Sequence, residues 1–239
     1  MSGERSRVRR AEGVSAGDAG SCGAALVLGG GIAGTQCALD LAEGGYKVHL
    51  VERQPALGGH MAQLDKTFPT NDCAMCTLAP RLVEAGRHRN IEIVTDAELV
   101  GLEGEPGRFT ARVLRHARYV DPEICTSCGA CVPVCPVTVS DIYDEGMGTR
   151  KATYKLYPQA IPAAYAVTKL GQSPCKLACP AATSAQGYLA LVAAERFEDA
   201  YRVAVEPNPF VSTCGRVCPA PCEAECSRGD VDAPIAIRS

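Results

Sequence analysis

Four thiols lie close together near the middle of the chain, in the run Cys125-Thr-Ser-Cys128-Gly-Ala-Cys131-Val-Pro-Val-Cys135-Pro136. Gaps of two residues let a tight loop aim successive sulfurs at one cubane, and a Cys-Pro pair commonly ends such ligand runs. Gly129 permits close approach of the backbone, and Pro136 turns the chain away. The run therefore predicts a ferredoxin-type [4Fe–4S] segment over residues 122–140. The alternative is a tetrathiolate zinc site, which usually divides into two separated Cys-x-x-Cys knuckles.

Cys73 and Cys76 form a separate Cys-x-x-Cys, which can serve in three ways. The pair can supply cluster ligands, form a redox-active dithiol beside a flavin, or be inert. In two-cluster ferredoxins the Cys-Pro thiol ligates the other cluster. The fourth ligand of the run is therefore open: Cys135 closes its own cluster, or Cys73 or Cys76 reaches across to complete it.

A second block of thiols occupies the last part of the chain and comprises Cys175, Cys179, Cys214, Cys218, Cys222 and Cys226. Cys179, Cys218 and Cys222 with one more ligand are predicted to hold a cluster. Cys175 and Cys226 remain for a second cluster, which needs a ligand from elsewhere, and Cys214 is interpreted as a spare thiol. A zinc-stapled structural scaffold is the alternative for this block.

Composition excludes several classes of protein. The chain has 14 cysteines in 239 residues, and their grouping favours metal or redox centres in a cytoplasmic protein over disulfides. Residues 1–23 form a predicted disordered arm with four arginines and no apolar export core. No apolar run approaches a membrane span, and the net charge of −3 argues against nucleic acid as a partner. Cys22 lies in the arm, and Cys37 lies on a predicted helix at a position where a small buried residue is common. Both cysteines are interpreted as structural or incidental.

The segment 24–121 begins with the pattern of a dinucleotide-binding domain. The apolar strand 24–28 leads into Gly29-Gly-Gly31-Ile32-Ala33-Gly34, and residues 35–42 are apolar enough for a helix. The first glycine makes the turn, the second lets the backbone approach a pyrophosphate, and the third lets helix and strand pack closely. The second strand, 47–51, ends in Glu52, placed to bind the ribose hydroxyls of an adenosine.

These features favour FAD over NADP, since an acid at this position disfavours a 2′-phosphate. The candidate dinucleotide-binding residues are Gly29, Gly31, Ile32, Ala33, Gly34, Glu52, Arg53, Gly58 and Gly59. Alternating residues then predict a β-meander of strands 91–95, 98–102, 108–114 and 118–121. Between the halves, Thr77 is predicted to cap a helix that runs to about Gly86. Lys66 is the cation of this insertion, either near the flavin, where it would stabilise the reduced form, or simply on the surface.

The insertion also carries a resemblance to a known family. The run from Gly58 to Cys76, with Leu78-Ala-Pro80, Glu105-Pro-Gly107, Gly148-Thr-Arg-Lys-Ala152 and Tyr157-Pro-Gln-Ala160, resembles the A subunit of heterodisulfide reductase over residues 24–165. The resemblance implies an FAD-containing iron–sulfur electron-transfer subunit. It also implies partners, namely other subunits of such a complex or an electron donor of the ferredoxin, hydrogenase or dehydrogenase type.

Residues 174–239 resemble the N-terminal helical iron–sulfur domain of the glutamate synthase small subunit. The matching residues include Ala178-Cys-Pro180, Asn208-Pro-Phe210, Gly215-Arg-Val-Cys-Pro219 and Pro221-Cys-Glu223. That domain normally has a further Cys-x-x-Cys before the position of Cys175, whereas residues 167–172 of this chain have none. Two helices are predicted, at 185–194 after Ser184 and at 197–205. Residues 141–173 are predicted to be a linker, and the second domain is expected to be incomplete.

The predicted fold class is thus α/β plus small α. It comprises an FAD/NAD-type Rossmann half domain with a β-meander, a ferredoxin-like cluster loop and an α-helical iron–sulfur domain. The predicted function is that of an oxidoreductase subunit that passes electrons between FAD and [4Fe–4S] clusters to a partner reductase. A small-subunit fragment of a glutamate synthase-like NAD(P)H oxidoreductase is the alternative enzyme, and a zinc-stapled scaffold is the structural alternative.

Overall fold

A computed structural model describes residues 23–169 and 171–238 of the chain. The chain divides into two compact units. The first runs to Gly129 and includes Val139–Val167, and the second combines Ala130–Thr138 with the chain from Thr168 onward. The predicted disordered arm, with Cys22 and its arginines, lies outside the described residues apart from Gly23.

The first unit is built on a three-stranded parallel sheet in the order β1–β2–β3. Its strands are β1 (Ala24–Leu28), β2 (Lys47–Val51) and β3 (Ile91–Val94), with Val51 opposite both Leu28 and Val94. Parallel neighbours need a crossover, and helices α1 (Ile32–Glu43) and α2 (Ala74–Arg87) lie in the two connections. The predicted Rossmann-like order of strand, glycine turn, helix and strand is confirmed.

The core of the first unit lies between these helices and the sheet. The buried residues of α1 recur at helical spacing, at Thr35, Ala38, Leu39 and Ala42. On α2 the buried positions are Ala74, Leu78, Leu82 and Ala85. They pack with Val48 and Leu50 of β2, which are fully buried. Each leucine buried in this way contributes about 1.5–3 kcal/mol, so this core fixes where the glycine turn and Cys73 are held.

The predicted β-meander is wrong in its extent. Strand β3 belongs to the parallel sheet, and only β4 (Ala97–Glu105) and β5 (Arg108–Arg115) form an antiparallel hairpin. Residues 118–121 form no strand. The side chain of Arg118 lies inside the unit instead, where its hydrogen bonds go to several backbone carbonyls and not to a strand partner.

Residues 141–167 belong to the predicted linker, which was expected to lie across the first domain, and they pack into the first unit. They contain short strands β7 (Thr149–Lys151), β8 (Thr153–Tyr154) and β9 (Ala166–Val167), while β6 (Thr138–Ser140) pairs with β7. Tyr157 and Ala160 are buried in the core. The apolar residues of this segment have no regular period, so the sequence pattern alone did not show that they are buried.

The second unit is helical. Its helices are α3 (Pro174–Ala178), α4 (Ala185–Ala193), α5 (Phe197–Val205), α6 (Val211–Val217) and α7 (Pro221–Ala224). The predicted pair after Ser184 corresponds to α4 and α5, and α6 was not predicted. Helices α3, α6 and α7 are short and each carries a cysteine, while Cys179 and Cys218 lie directly after α3 and α6. Within the described residues, no helix is both long enough and apolar enough to span a membrane.

Candidate functional site

The glycine turn after β1 has the shape that a dinucleotide site needs. Gly29 has a φ of 96°, a conformation that favours glycine. A Cβ added at Gly34 would lie 1.9 Å from the carbonyl oxygen of Gly29, so α1 can approach the turn this closely only without a side chain. These two positions therefore support the predicted roles of the first and third glycines.

Gly31 faces open space, because no atom lies within 4 Å of a Cβ added there. The backbone N–H of Gly58 donates to the carbonyl of Gly30 at 2.7 Å, and a Cβ at Gly59 would lie 3.1 Å from Cα of Gly31. The 58–59 loop thus borders the same space. No side chain caps the start of α1, and the N–H groups of its first residues, Ile32 and Ala33, have no intrahelical acceptor. This space fits a diphosphate.

Glu52 lies at the end of β2, as predicted, and is nearly buried at 8% exposure. One carboxylate oxygen accepts the N–H of Gly30 at 2.5 Å, and the other accepts the N–H of Gln54 at 2.7 Å. Each oxygen keeps a further lone pair for a ribose hydroxyl. The acid therefore holds the glycine turn, and its role in binding a ribose stays a prediction. Arg53, beside it, is exposed.

Tyr157 closes the loop that borders this space, and sequence reasoning did not identify it as a functional residue. Its hydroxyl donates to the carbonyl of Leu57, and a Cβ added at Gly58 would lie 2.7 Å from the same hydroxyl. Burial raises the pKa of Tyr157, so the hydroxyl stays a donor across the physiological range. Tyr143 stacks on it at 5.9 Å between ring centroids. The motif Tyr157-Pro-Gln-Ala160 was the available signal.

Cys73 and Cys76 lie at the start of α2. Cys73, not the predicted Thr77, is the N-cap, and its sulfur accepts the N–H of Cys76 at 3.2 Å. Hydrogen bonding from Cys76 lowers the pKa of Cys73, while the same interaction raises the pKa of Cys76. Lys66 is exposed and forms an isolated antiparallel bridge with Cys73. The structure thus brings together Lys66 and the thiol pair, and the roles of all three stay predictions.

We expect the Cys73→Ser/Cys76→Ser variant to lose iron relative to the wild-type chain. Both thiols are exposed on a helix start, where sulfurs are accessible to a cluster. Iron and acid-labile sulfide, measured per chain after anaerobic purification, give the result. Unchanged iron in the variant, together with a loss of two titratable thiols on oxidation of the wild type but not of the variant, would show instead that the pair is a dithiol. A Thr77→Ser variant, altered in the same helical turn, is the control.

The ferredoxin-type run folds as a series of tight turns. The N–H of Cys125 donates to Asp121 at 2.9 Å, and the N–H of Cys135 donates to Val132 at 3.2 Å. Ser127 and Gly129 have φ values of 59° and 79°. The division into compact units falls after Gly129, so Cys125 and Cys128 belong to the first unit and Cys131 and Cys135 to the second. No disulfide joins the described cysteines.

Five cysteines of the second unit line one cavity of about 260 Å³, which we call the thiol cavity. These are Cys175, Cys179, Cys214, Cys218 and Cys222. Cys214, interpreted from the sequence as a spare, is thus among them, whereas Cys226 is not among the lining residues. Three alanines, Val211, Ile237 and Tyr188 contribute apolar wall, so the grouped thiols have the partly apolar surroundings that suit a [4Fe–4S] cluster.

The thiols of this cavity influence one another. Burial raises the pKa of Cys222, and the neighbouring charge of Cys179 raises it further. Burial opposes the ionisation of Cys179 as well, but hydrogen bonds from Thr183 lower the pKa of Cys179 overall. Within the described residues, no three Cys, His, Asp or Glu side chains converge closely enough to hold a single metal ion.

Comparisons with protein families agree with this organisation. The model of an NAD(P)-binding Rossmann-like domain matches residues 27–93, and that of a 4Fe-4S binding domain matches residues 118–139. The model described as dihydropyrimidine dehydrogenase domain II, 4Fe-4S cluster, matches residues 149–239. It thus begins well before Pro174, where the sequence resemblance to a helical iron–sulfur domain was placed. The predicted iron–sulfur class is confirmed for both cysteine-rich segments.

Curated relatives match about 60% of the chain. The A 2 iron-sulfur subunit of CoB–CoM heterodisulfide reductase from Methanopyrus kandleri is 54% identical over 143 residues, which are 60% of this chain and 22% of the relative. The A subunit of the H2:CoB-CoM heterodisulfide,ferredoxin reductase from Methanothermobacter marburgensis is 50% identical over 145 residues, 61% of this chain and 22% of the relative. The corresponding subunit of Methanocaldococcus jannaschii is 53% identical over 142 residues, with 59% and 22% covered.

The predicted resemblance to the A subunit of heterodisulfide reductase is therefore confirmed. The match covers 59–61% of the chain in these three relatives. The chain spans about a fifth of the length of these relatives.

Proposed function

We propose that this chain is the electron-transfer part of a heterodisulfide reductase-like complex, in which electrons pass between FAD and [4Fe–4S] clusters to a partner reductase. One observation carries the proposal. A single chain joins the open dinucleotide cradle at Gly31 to two cysteine-rich segments, and about 60% of the chain is 50–54% identical to A subunits of heterodisulfide reductases. The classes of the three matched family models support the same cofactors.

The chain's own residues position the cofactors in this proposal. The glycine turn and the start of α1 bind the diphosphate, Glu52 binds the adenosine ribose, and the Tyr157 hydroxyl holds the 57–59 loop against it. The thiols of the ferredoxin-type run and of the thiol cavity ligate iron. Bound FAD and clusters supply the redox chemistry, with FAD able to exchange two electrons and each cluster one.

The partners belong to the same proposal. One relative is named for an H2:CoB-CoM heterodisulfide,ferredoxin reductase, and another carries H2/formate in its name. We infer that this chain exchanges electrons with other subunits of such a complex, or with a donor of the ferredoxin, hydrogenase or dehydrogenase class, in the cytoplasm. Neither nucleic acid nor a membrane span is part of the proposal.

Anaerobic purification followed by iron, sulfide, zinc and flavin analysis tests the proposed function. We expect iron and sulfide in equal amounts, in multiples of about four per chain, together with one FAD. Zinc without iron would identify a structural scaffold. Iron without flavin, even after incubation with FAD, would limit the chain to carrying clusters.

The Gly31→Ala variant is expected to weaken FAD binding while leaving the fold intact. The new methyl group enters space that is open in the protein but that the diphosphate would fill, and Gly31 has a φ of −70°, which alanine adopts readily. We expect the dissociation constant for FAD to rise about tenfold or more, which corresponds to about 1.4 kcal/mol. Flavin fluorescence titration measures the constant.

The control is Gly229→Ala, whose new Cβ would meet only Pro234 side-chain atoms, at 3.4 Å or more, in the second unit. Its FAD affinity and thermal midpoint should both match the wild type. Unchanged FAD affinity in Gly31→Ala would place the diphosphate elsewhere.

A further inference from the structure

A short segment, Ile237–Arg238, covers one wall of the thiol cavity. Both residues are among those that line it. One carboxylate oxygen of Glu223 accepts the backbone N–H groups of both residues, each at 2.8 Å. The hydroxyl of Tyr188 donates to the carbonyl of Ile237 at 3.1 Å. The segment is therefore anchored from two helices, α4 through Tyr188 and α7 through Glu223.

The side chain of Arg238 is anchored as well. Its guanidinium donates to the carbonyl of Cys218, one of the predicted cluster ligands. Its backbone oxygen is the nearest atom to a Cβ added at Gly215, at 4.0 Å, so the segment also lies along α6. A permanent positive charge is thus held beside the backbone of a thiol that faces the cavity.

We propose that the positive charge of Arg238 raises the reduction potential of the cluster in the thiol cavity. The inference rests on the proposed function, because it requires a cluster there. A [4Fe–4S] centre with thiolate ligands becomes more negative by one charge when it accepts one electron. A fixed cation nearby stabilises the reduced form more than the oxidised form, and hydrogen bonds and charges around the sulfurs set the potential.

Glu223 brings a carboxylate to the same wall, and its role differs from that of Arg238. Its Oε1 is engaged by two backbone N–H groups, so it fixes the segment that carries the arginine. Arg238 itself is exposed, so its field on the cavity is partly screened by salt. The arrangement therefore predicts a salt-dependent effect of the guanidinium on the potential. The charge of Glu223 also acts directly on the cavity, since it is one of the causes that raise the pKa of Cys222.

The test uses the full chain, purified anaerobically, with Arg238→Met and Arg238→Lys variants. EPR-monitored titration with dithionite gives the midpoint potential of each cluster, and the signal that disappears in a Cys218→Ala/Cys222→Ala variant identifies the cavity cluster. We expect Arg238→Met to disfavour reduction of that cluster about tenfold, a shift of about 59 mV to more negative potential for a one-electron couple. Arg238→Lys should keep most of the wild-type potential.

The other clusters provide an internal reference, since their midpoints should not move. We also expect the difference between Arg238→Met and wild type to shrink as ionic strength rises. An unchanged midpoint potential in Arg238→Met with full iron content would overturn the inference. Loss of cavity iron in both Arg238→Met and Arg238→Lys would also overturn it, because the segment would then be purely structural. A wild-type chain with zinc and no iron would overturn the proposed function itself, a result seen before any variant is made.

Discussion

Replacing Arg118 with methionine is expected to lower the local unfolding free energy of the first unit by about 3–5 kcal/mol, since the change leaves a half-buried carboxylate without its cation. The guanidinium donates to Asp96 at 3.2 Å, and only 9% of the arginine side chain is exposed. It also donates to four other acceptors, at 2.6–3.2 Å: the carbonyls of Pro55, Ala164 and Tyr165 and the hydroxyl of Thr95. Hydrogen exchange at the amides of β2 and β3 measures this free energy directly.

The pH dependence of the same variant gives a second readout. Burial raises the pKa of Asp96, and the charge of Arg118 opposes that rise. Without the arginine, the pKa of Asp96 rises further above its value in the unfolded chain. A carboxyl whose pKa is higher in the folded chain than in the unfolded chain lowers the free energy of unfolding while it is ionised. This loss disappears as pH falls through the pKa of the folded state. The deficit of Arg118→Met relative to wild type should therefore shrink as pH is lowered.

Arg112→Met is the matched control. Arg112 pairs with Glu103 on the exposed β4–β5 hairpin, with both side chains about two-thirds exposed. An exposed pair of this kind contributes about 0–1 kcal/mol, so the control should unfold almost like the wild type. Equal effects from the two arginine variants would show that the contacts of Arg118 do not hold the unit together.

The Cys218→Ala/Cys222→Ala variant is expected to lose about four iron atoms per chain. Both sulfurs line the thiol cavity, so their removal takes half of a four-ligand set. Burial and the charge of Cys179 raise the pKa of Cys222, and iron compensates this repulsion when it binds the thiolates. Iron and sulfide analysis gives the loss, and the thermal midpoint of the variant should fall toward that of the metal-free chain.

Two single variants sharpen this result. Cys37→Ala changes an exposed thiol on α1, away from both cysteine-rich segments in sequence, and should keep all iron. Cys214→Ala removes a cavity thiol that lies outside the predicted ligand set, and it should also keep its iron. Iron loss from Cys214→Ala would add this residue to the ligands, whereas full iron in the double variant would contradict a cluster in the cavity.

The sequence predicted those parts of the protein that depend on local patterns. The glycine turn, α1, β2 and Glu52 lie within a few tens of residues of one another, so the fingerprint and its hydrophobic periods were sufficient. Helices α4 and α5 were predicted for the same reason. The exposure of Cys37 could not be predicted from the sequence. A helix that packs on one side exposes its opposite side to solvent, and the sequence does not show on which of the two sides a single small residue lies.

Features made by distant residues could not be predicted. Arg118 was placed in a strand because its neighbours alternate, but its guanidinium binds carbonyls from loops at Pro55 and Ala164. The burial of Tyr157 depends on a hydrogen bond to Leu57, far away in sequence. The gathering of five thiols around one cavity likewise depends on how α3 to α7 pack, which the spacing of the cysteines within each motif does not specify.

The hydrogen bond from Tyr157 to Leu57 also has a consequence for biosynthesis. A ribosome makes residue 57 long before residue 157, and the ferredoxin-type run is made between them. The loop beside Gly31 therefore gains the hydroxyl that fastens it only after the whole ferredoxin-type run has been made, so a chain that stops before Tyr157 carries that run but lacks the fastening.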